Sequence, residues 1–459
     1  MIRTKTMFLC LGGGIFVLGA ALRFYHINFQ SLWLEELHDV ILADPKHHIL
    51  TITDIGAMFG SKAFYLFLHL VFEIFSYEDI VGRVAFALIG ILALPVIYFL
   101  GKEFDSPETG LFAALLAAIN YYHIHYSQEV NFYSMGFLFS ALSYLFFIRS
   151  YKYLKEGAFA AYVVSTILLL HTHSFGFIVF LAQIITVVVL SVMYKAEKKF
   201  WRGFVIAAVS ILIFAPWTQV LVSELLTGHP WMPKPAIYAL LSYFYNYSGK
   251  DVLVTIIFAA LIILFFRSFI RPDANDEQKK PLHLILILWL VLVYVLPFIK
   301  SFIGNSILDM RFTIIFLPAL LIAVAVGWSK LKKTKWKLVC AVCIVLSSLI
   351  NLLFLTEHYT KVQKQQIREV SNFVKTNNKA QHAVFSSSSR EFNFYFPDPG
   401  STVNPLDSLD RIMDLSVIDK AWILRINPSE EELLILSGKF RMLEKHSFHE
   451  TEALLIQKK

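Results

Sequence analysis

Eleven stretches of mostly apolar residues, each close to the roughly 20 residues needed to cross a bilayer as a helix, set the terms for this chain. They fall near residues 7 to 24, 80 to 100, 110 to 126, 132 to 149, 158 to 172, 174 to 194, 203 to 222, 252 to 269, 282 to 299, 312 to 328 and 338 to 355. In lipid, such segments satisfy their backbone polar groups only as helices, so an all-α polytopic membrane protein is expected. Composition agrees: 57% of the 459 residues are hydrophobic and 16% charged, against about 25% charged in soluble domains. The mean hydropathy is +0.60. A net charge of +7 gathers in particular loops rather than along one face, so it reports topology, not nucleic-acid binding.

With the N-terminus inside, Lys and Arg divide nineteen to six in favour of the inner loops, among them the groups Lys195 to Arg202 and Lys330 to Lys337. That asymmetry predicts a cytoplasmic N-terminus and an exported tail, in a bacterial inner or plasma membrane. The first span, preceded by Arg3 and Lys5, reads as an uncleaved signal anchor, with a cleaved signal peptide as the alternative. The rule leaves Ser61 to Glu78 outside the spans. Its polar Lys62, His69, Glu73 and Ser76 recur at helical spacing, which predicts a membrane-surface helix inside one long outer loop, residues 25 to 79. Cys10, Cys340 and Cys343 lie in apolar spans and read as buried small residues. After Leu355 the composition changes. Residues 356 to 459 carry a helical pattern over 361 to 370 and strand candidates at 383 to 386, 392 to 396 and 421 to 426, so a small α/β domain is expected there, beside a membrane domain of residues 1 to 355.

Acids beside a bilayer are costly unless they have a use, which singles out Glu35 and Glu36 in Ser31-Leu32-Trp33-Leu34-Glu35-Glu36. Solvation of a loop is the competing reading of that pair. Together with Leu22-Arg23-Phe24-Tyr25, the run Tyr126-Ser127-Gln128-Glu129-Val130-Asn131-Phe132-Tyr133, and Arg311-Phe312 with Pro318, this segment resembles the glycosyltransferase C superfamily. The likeness is to its branch of protein O-mannosyltransferases and lipid A aminoarabinose transferases and covers about the first 330 residues. It implies a polyprenyl-phosphate sugar donor (mannose-like, or another hexose or pentose), a protein, lipid or glycan acceptor, and inverting transfer on the outer face.

The resemblance assigns Glu35 as general base where the family has Asp, with Glu36 beside it. Glu129 is the second acid, although Asn131 stands where the family usually has Arg. A positioned carboxylate taking the acceptor proton supplies about 10²- to 10⁴-fold. Arg311 suits the charge that grows on a departing lipid phosphate, Phe312 replacing the family's usual Tyr. Arg23, His171 and His173 complete the expected phosphate contacts, and Tyr126, Gln128 and Tyr133 the acceptor or sugar contacts. Snorkelling explains Arg311 equally well on spacing alone. No motif demands a cofactor. The His123/His125 and His171/His173 pairs leave a divalent metal open without arguing for one. Trp231, Tyr238, Tyr243, Tyr245 and Tyr247 read either as sugar-stacking rings or as an interfacial aromatic belt. A lipid-linked-glycan flippase, or a family member that binds lipid without transferring, is the competing function. A flippase places charge through mid-membrane, whereas these candidates gather at one face.

Overall fold

The computed structural model describes residues 2–195, 197–214, 218–228, 230, 232–397, 402–409 and 419–459. By packing, the chain divides into two units. The first comprises Met1–Tyr25, His48–Phe67 and Arg83–His358; the second comprises His26–His47, Leu68–Gly82 and Tyr359–Lys459. Helices follow the apolar pattern: α1 Ile2–Phe24, α2 Leu34–Leu42, α3 Ile49–Met58, α4 Lys62–Ile74, α5 Asp79–Phe104, α6 Pro107–Ile119, α7 Tyr121–Ser127, α8 Tyr133–Tyr153, α9 Glu156–Leu170 and α10 Gly176–Tyr194. Then come α11 Lys198–Phe214, α12 Thr218–Thr227, α13 Ala239–Tyr247, α14 Val252–Ile270, α15 Ala274–Ile303, α16 Leu317–Ser329 and α17 Thr334–Ile350. Among the described residues, Asp79–Phe104, Gly176–Tyr194, Val252–Ile270, Ala274–Ile303, Arg311–Ser329 and Thr334–Leu355 are long and apolar enough to cross a membrane, with shorter apolar helices beside them.

Expectation and structure part at two places in this region. The stretch 110 to 126 is broken at Asn120, whose side chain accepts from the His123 N–H and so caps α7 as a separate helix. In α4 the expected polar face is interrupted: His69 is buried, its Nδ1 3.4 Å from the Ala43 carbonyl, while Leu70, Ile74 and Phe75 are exposed with Glu73.

The first unit is held by close helix crossings. A Cβ on Gly327 would sit 1.9 Å from the Leu261 carbonyl oxygen, so α16 and α14 meet backbone to backbone, the small-residue contact that lets helices associate in lipid. Gly327→Ala is expected to cost about 1–3 kcal/mol or more by overpacking, read as a lowered melting temperature in detergent. Gly13→Ala, with nothing within 4 Å, should leave it unchanged.

At the end of α16 away from Arg311, Asp105 follows α5 and pairs with Lys279 (2.7 Å) and Lys330 (3.4 Å), while Thr109 donates to it; Lys330 also meets Asp276 at 2.5 Å. Burial alone would raise the Asp105 carboxyl, but the Lys279 and Thr109 hydrogen bonds and the Lys330 charge outweigh it and hold it well below the usual range. A depressed carboxylate stabilises the fold above its ordinary value near 3.8 and loses that contribution as pH falls. Wild-type stability should therefore drop steeply below about pH 4, whereas Asp105→Asn should be less stable at neutral pH and flatter in acid. Melting curves from pH 3 to 8 check this.

The second unit carries the mixed sheet β1 Ala383–Ser386, β2 Val403–Pro405, β3 Lys420–Ile426, β4 Phe440–Phe448 and β5 Thr451–Lys458, in spatial order β2-β1-β3-β5-β4. β1 runs parallel to β2 and β3; β5 is antiparallel to β3 and β4. Helices α18 Ile367–Asn377, α19 Ser389–Tyr395 and α20 Glu430–Lys439 accompany it. Phe385, Leu409, Ile423, Leu436, Phe440, Leu454 and Ile456 form its core. The strand expected at 392 to 396 is helical, within α19, which buries Phe392 and Tyr395 three residues apart. The helix expected from 361 begins only at Ile367.

Candidate active site

Within the first unit, Asn120 fixes α7 at both ends of its side chain, accepting from His123 N and donating to the Tyr247 carbonyl at 2.8 Å. This seats Tyr122 and Tyr126, one helical turn apart, with ring centroids at 4.7 Å, and sets Tyr126 4.8 Å from Tyr133. The Tyr122 hydroxyl donates to the Met310 carbonyl, and Tyr247 pairs with Thr313. Just beyond α7, Glu129 is buried at 4% exposure, with its Oε1 3.4 Å from His125 Nε2. The imidazole faces the carboxylate that lacks the family's arginine at position 131. His125 in turn stacks on Tyr121 and lies 5.6 Å from the His358 ring.

Arg311 opens a 3-10 turn, Arg311–Phe316, that leads into α16. Asp309 accepts from the Arg311 N–H (2.9 Å) and grips the guanidinium at Nε (3.1 Å) and Nη2 (2.7 Å). A fork held along one edge is fixed in direction, as bidentate recognition of an oxyanion requires. Tyr122, edge-on to Tyr126, donates to the carbonyl of Met310 next to Arg311, and Phe132 meets Phe312, so α7 and the segment after it adjoin the Arg311 turn. Phe312, which replaces the family's Tyr, packs against His173 and Phe132; His173 stacks on Phe132 at 4.4 Å, and its Nδ1 accepts from Phe175 N, which places the neutral ring's proton on Nε2. His171 ends α9, and its carbonyl accepts from Ala63 N, bringing the start of α4 to that corner.

Other expected contacts serve the scaffold. Arg23 is fully buried and donates to the carbonyls of Gly19, Ala117 and Ala118 and to His123 Nδ1, so the expectation that it binds phosphate gives way to a role in packing α1 against α6. Gln128 bridges the Arg23 and Tyr25 carbonyls to His358 Nε2. Between α12 and α14, Tyr243 and Tyr247 are engaged with Phe298, Tyr294 and Phe316, while Tyr238 is exposed; Trp231 lies outside the described residues. Asp105, Asp276 and His283 bring ligand atoms within 4.8 Å of one another, but Lys279 and Lys330 already neutralise the carboxylates, at the opposite end of α16 from Arg311.

In the second unit the acidic pair divides. Glu35 is exposed on the first turn of α2, while Glu36 is completely buried, accepting from Trp33 N (3.3 Å) and paired with Lys364 at 2.9 Å. The Leu34 N–H and the Ser31 hydroxyl donate to Gln365, completing the anchorage of this turn. A catalytic part for Glu36 gives way to a structural one. Sequence reasoning missed His125 as the partner of Glu129, Asp309 as the holder of Arg311, and His358. Asp309, two residues before Arg311, and His125, one helical turn before Glu129, left local signals, whereas His358 left none.

Residues 62–219 match the family model described as dolichyl-phosphate-mannose-protein mannosyltransferase. The fold matches ArnT from Cupriavidus metallidurans in the apo state at TM-score 0.66 and 11% identity, over 99% of this chain and 98% of that one. The same enzyme bound to undecaprenyl phosphate matches at TM-score 0.63 and 11% identity over the same shares. These likenesses show the fold that the chain shares with ArnT. Archaeal oligosaccharyltransferase AglB from Archaeoglobus fulgidus, in complex with an inhibitory peptide and a dolichol-phosphate, matches in fold at TM-score 0.57 and 11% identity, over 98% of this chain and 74% of that one. No curated protein matches by sequence. The polytopic helical body with a small sheet-bearing C-terminal region agrees with the fold class expected from the sequence.

Proposed function

We propose that the protein is an inverting glycosyltransferase that moves a sugar from a polyprenyl phosphate to an acceptor on the outer face of the membrane. The observation that carries this reading is the junction of α7, which leads into the buried Glu129, with the turn on which Asp309 holds Arg311, in a fold whose solved members hold undecaprenyl phosphate and dolichol-phosphate. Arg311 takes the donor phosphate and stabilises the charge it gains as the anomeric C–O bond breaks. Glu35 accepts the acceptor proton while the new bond forms on the opposite face of the sugar, which inverts the centre. Glu129, with His125, positions sugar or acceptor hydroxyls. The sugar is a hexose or pentose, mannose-like in the nearest reading; the acceptor is protein, lipid or glycan.

Purified protein incubated with a panel of labelled polyprenyl-phosphate sugars tests the activity, and label passing only from a nucleotide sugar would overturn it. The N-terminus is proposed as cytoplasmic and the sheet-bearing unit as exported. A reporter fused at the C-terminus should be active only outside the cytoplasm.

A further inference from the structure

The second unit contains a cleft of about 580 Å³, within the ~300–1,000 Å³ range of ligand sites, where four segments meet: the α2–α3 connection, the α4–α5 connection, α18 and α19. Asp44 and Lys46, Tyr77, Lys375, and Arg390 with Phe394 supply its wall from those segments in turn. The groups it presents are of three kinds. Tyr77 and Phe394 meet edge to face at 5.1 Å, and the Tyr77 hydroxyl is anchored on the Val40 carbonyl at 3.2 Å, so the aromatic floor is fixed. Asp44 and Arg390 line the same cleft as Tyr77 and Phe394, so a carboxylate and a guanidinium share its wall with that floor. Arg368, also in the wall, is already neutralised by Asp79 (2.9 Å) and Glu369 (3.0 Å), whereas Lys46, Lys375 and Arg390 have no carboxylate within ion-pair distance among the described residues. The Lys375 ammonium lies 5.1 Å over the Phe396 ring.

An apolar guest would leave these charges desolvated and unpaired, which is costly. A nucleic acid needs a basic stripe, which the carboxylates of Asp44 and Glu78 interrupt. A sugar chain matches all three kinds of group: its C–H faces rest on aromatic edges, its hydroxyls meet carboxylate and guanidinium, and acidic substituents pair with the remaining cations. We infer that this cleft binds a glycan bearing acidic groups, carboxylate or phosphate. Only in making that glycan the acceptor does the inference rest on the transferase reading.

Full-length protein in nanodiscs, with no donor present, is titrated with fluorescent short oligogalacturonate, a phosphorylated mannose oligosaccharide, neutral maltohexaose and polyglutamate. One or both acidic sugars should bind, the pair of results distinguishing uronate from sugar phosphate, at least about tenfold more tightly than the neutral sugar or the acidic peptide. Lys375→Ala/Arg390→Ala, both in exposed positions, should weaken that binding at least about tenfold with an unchanged melting temperature, and Phe394→Ala should weaken it too. Binding of none of the probes, equal binding of polyglutamate or of the neutral sugar, or a double variant that binds like wild type overturns the inference. Because no donor is present, those results are independent of whether transfer occurs.

Discussion

Arg311→Ala is expected to lower turnover of the polyprenyl-phosphate sugar by about 10²- to 10³-fold, the loss found when one preorganised donor is removed from a developing anion. Charge builds on the phosphate as its bond to the sugar breaks, so the loss should fall mainly on kcat, with a smaller rise in KM from the ground-state phosphate. Arg311→Lys keeps the charge but not the fork that Asp309 orients through Nε and Nη2, and should recover only part of the rate. Asp309→Asn separates orientation from charge. It leaves a side chain able to accept from the Arg311 N–H but removes the carboxylate grip, so activity should drop less than for Arg311→Ala, with a stronger apparent affinity for the donor phosphate. Initial rates over a range of donor concentrations for the four proteins check the order. Turnover within threefold of wild type for Arg311→Ala would remove the phosphate-binding role.

The helical body was legible because lipid allows an apolar 20-residue run few other solutions, and α5, α10, α14 and α15 lie where hydropathy places them. What defeated prediction was local chemistry. Asn120 breaks its span by capping with a side chain, and no hydropathy average registers a cap. β3 was visible as a buried apolar run, but β4 reads Phe-Arg-Met-Leu-Glu-Lys-His-Ser-Phe, charged and shifted in register between Met442 and Glu444, and β5 begins Thr-Glu-Ala-Leu-Leu, residues as much at home in a helix. The aromatic run Phe392 to Phe396 suits a strand by propensity, yet α19 buries two of its rings on one helical face. At the site, motif position located Arg311 and Glu129, but their partners, Asp309 two residues before the one and His125 four before the other, belong to no motif that points to them. Adjacent glutamates look alike in a sequence; only the turn of α2 sends one outward and the other into the core.

That division makes the two glutamates separable by experiment. Glu35→Gln should lower kcat by about 10²- to 10⁴-fold, the value of a positioned base, with donor KM and melting temperature unchanged, because its exposed side chain contributes little to packing. Glu35→Asp withdraws the carboxylate by one methylene, and because displacements of ~1 Å cost up to 10²-fold, it should lose part of the activity but less than Glu35→Gln. Glu36→Gln acts differently. It leaves the Lys364 ammonium, 9% exposed, facing a neutral amide, and removing one member of a buried pair costs about 3 kcal/mol or more. The protein should melt earlier and lose activity only in proportion to the folded fraction. Glu36→Gln/Lys364→Met should regain much of that stability, and the double-mutant cycle gives the coupling directly. Equal catalytic defects in well-folded Glu35→Gln and Glu36→Gln proteins would refute the assignment, because a carboxylate buried against Lys364 is in no position to take a proton from an incoming hydroxyl.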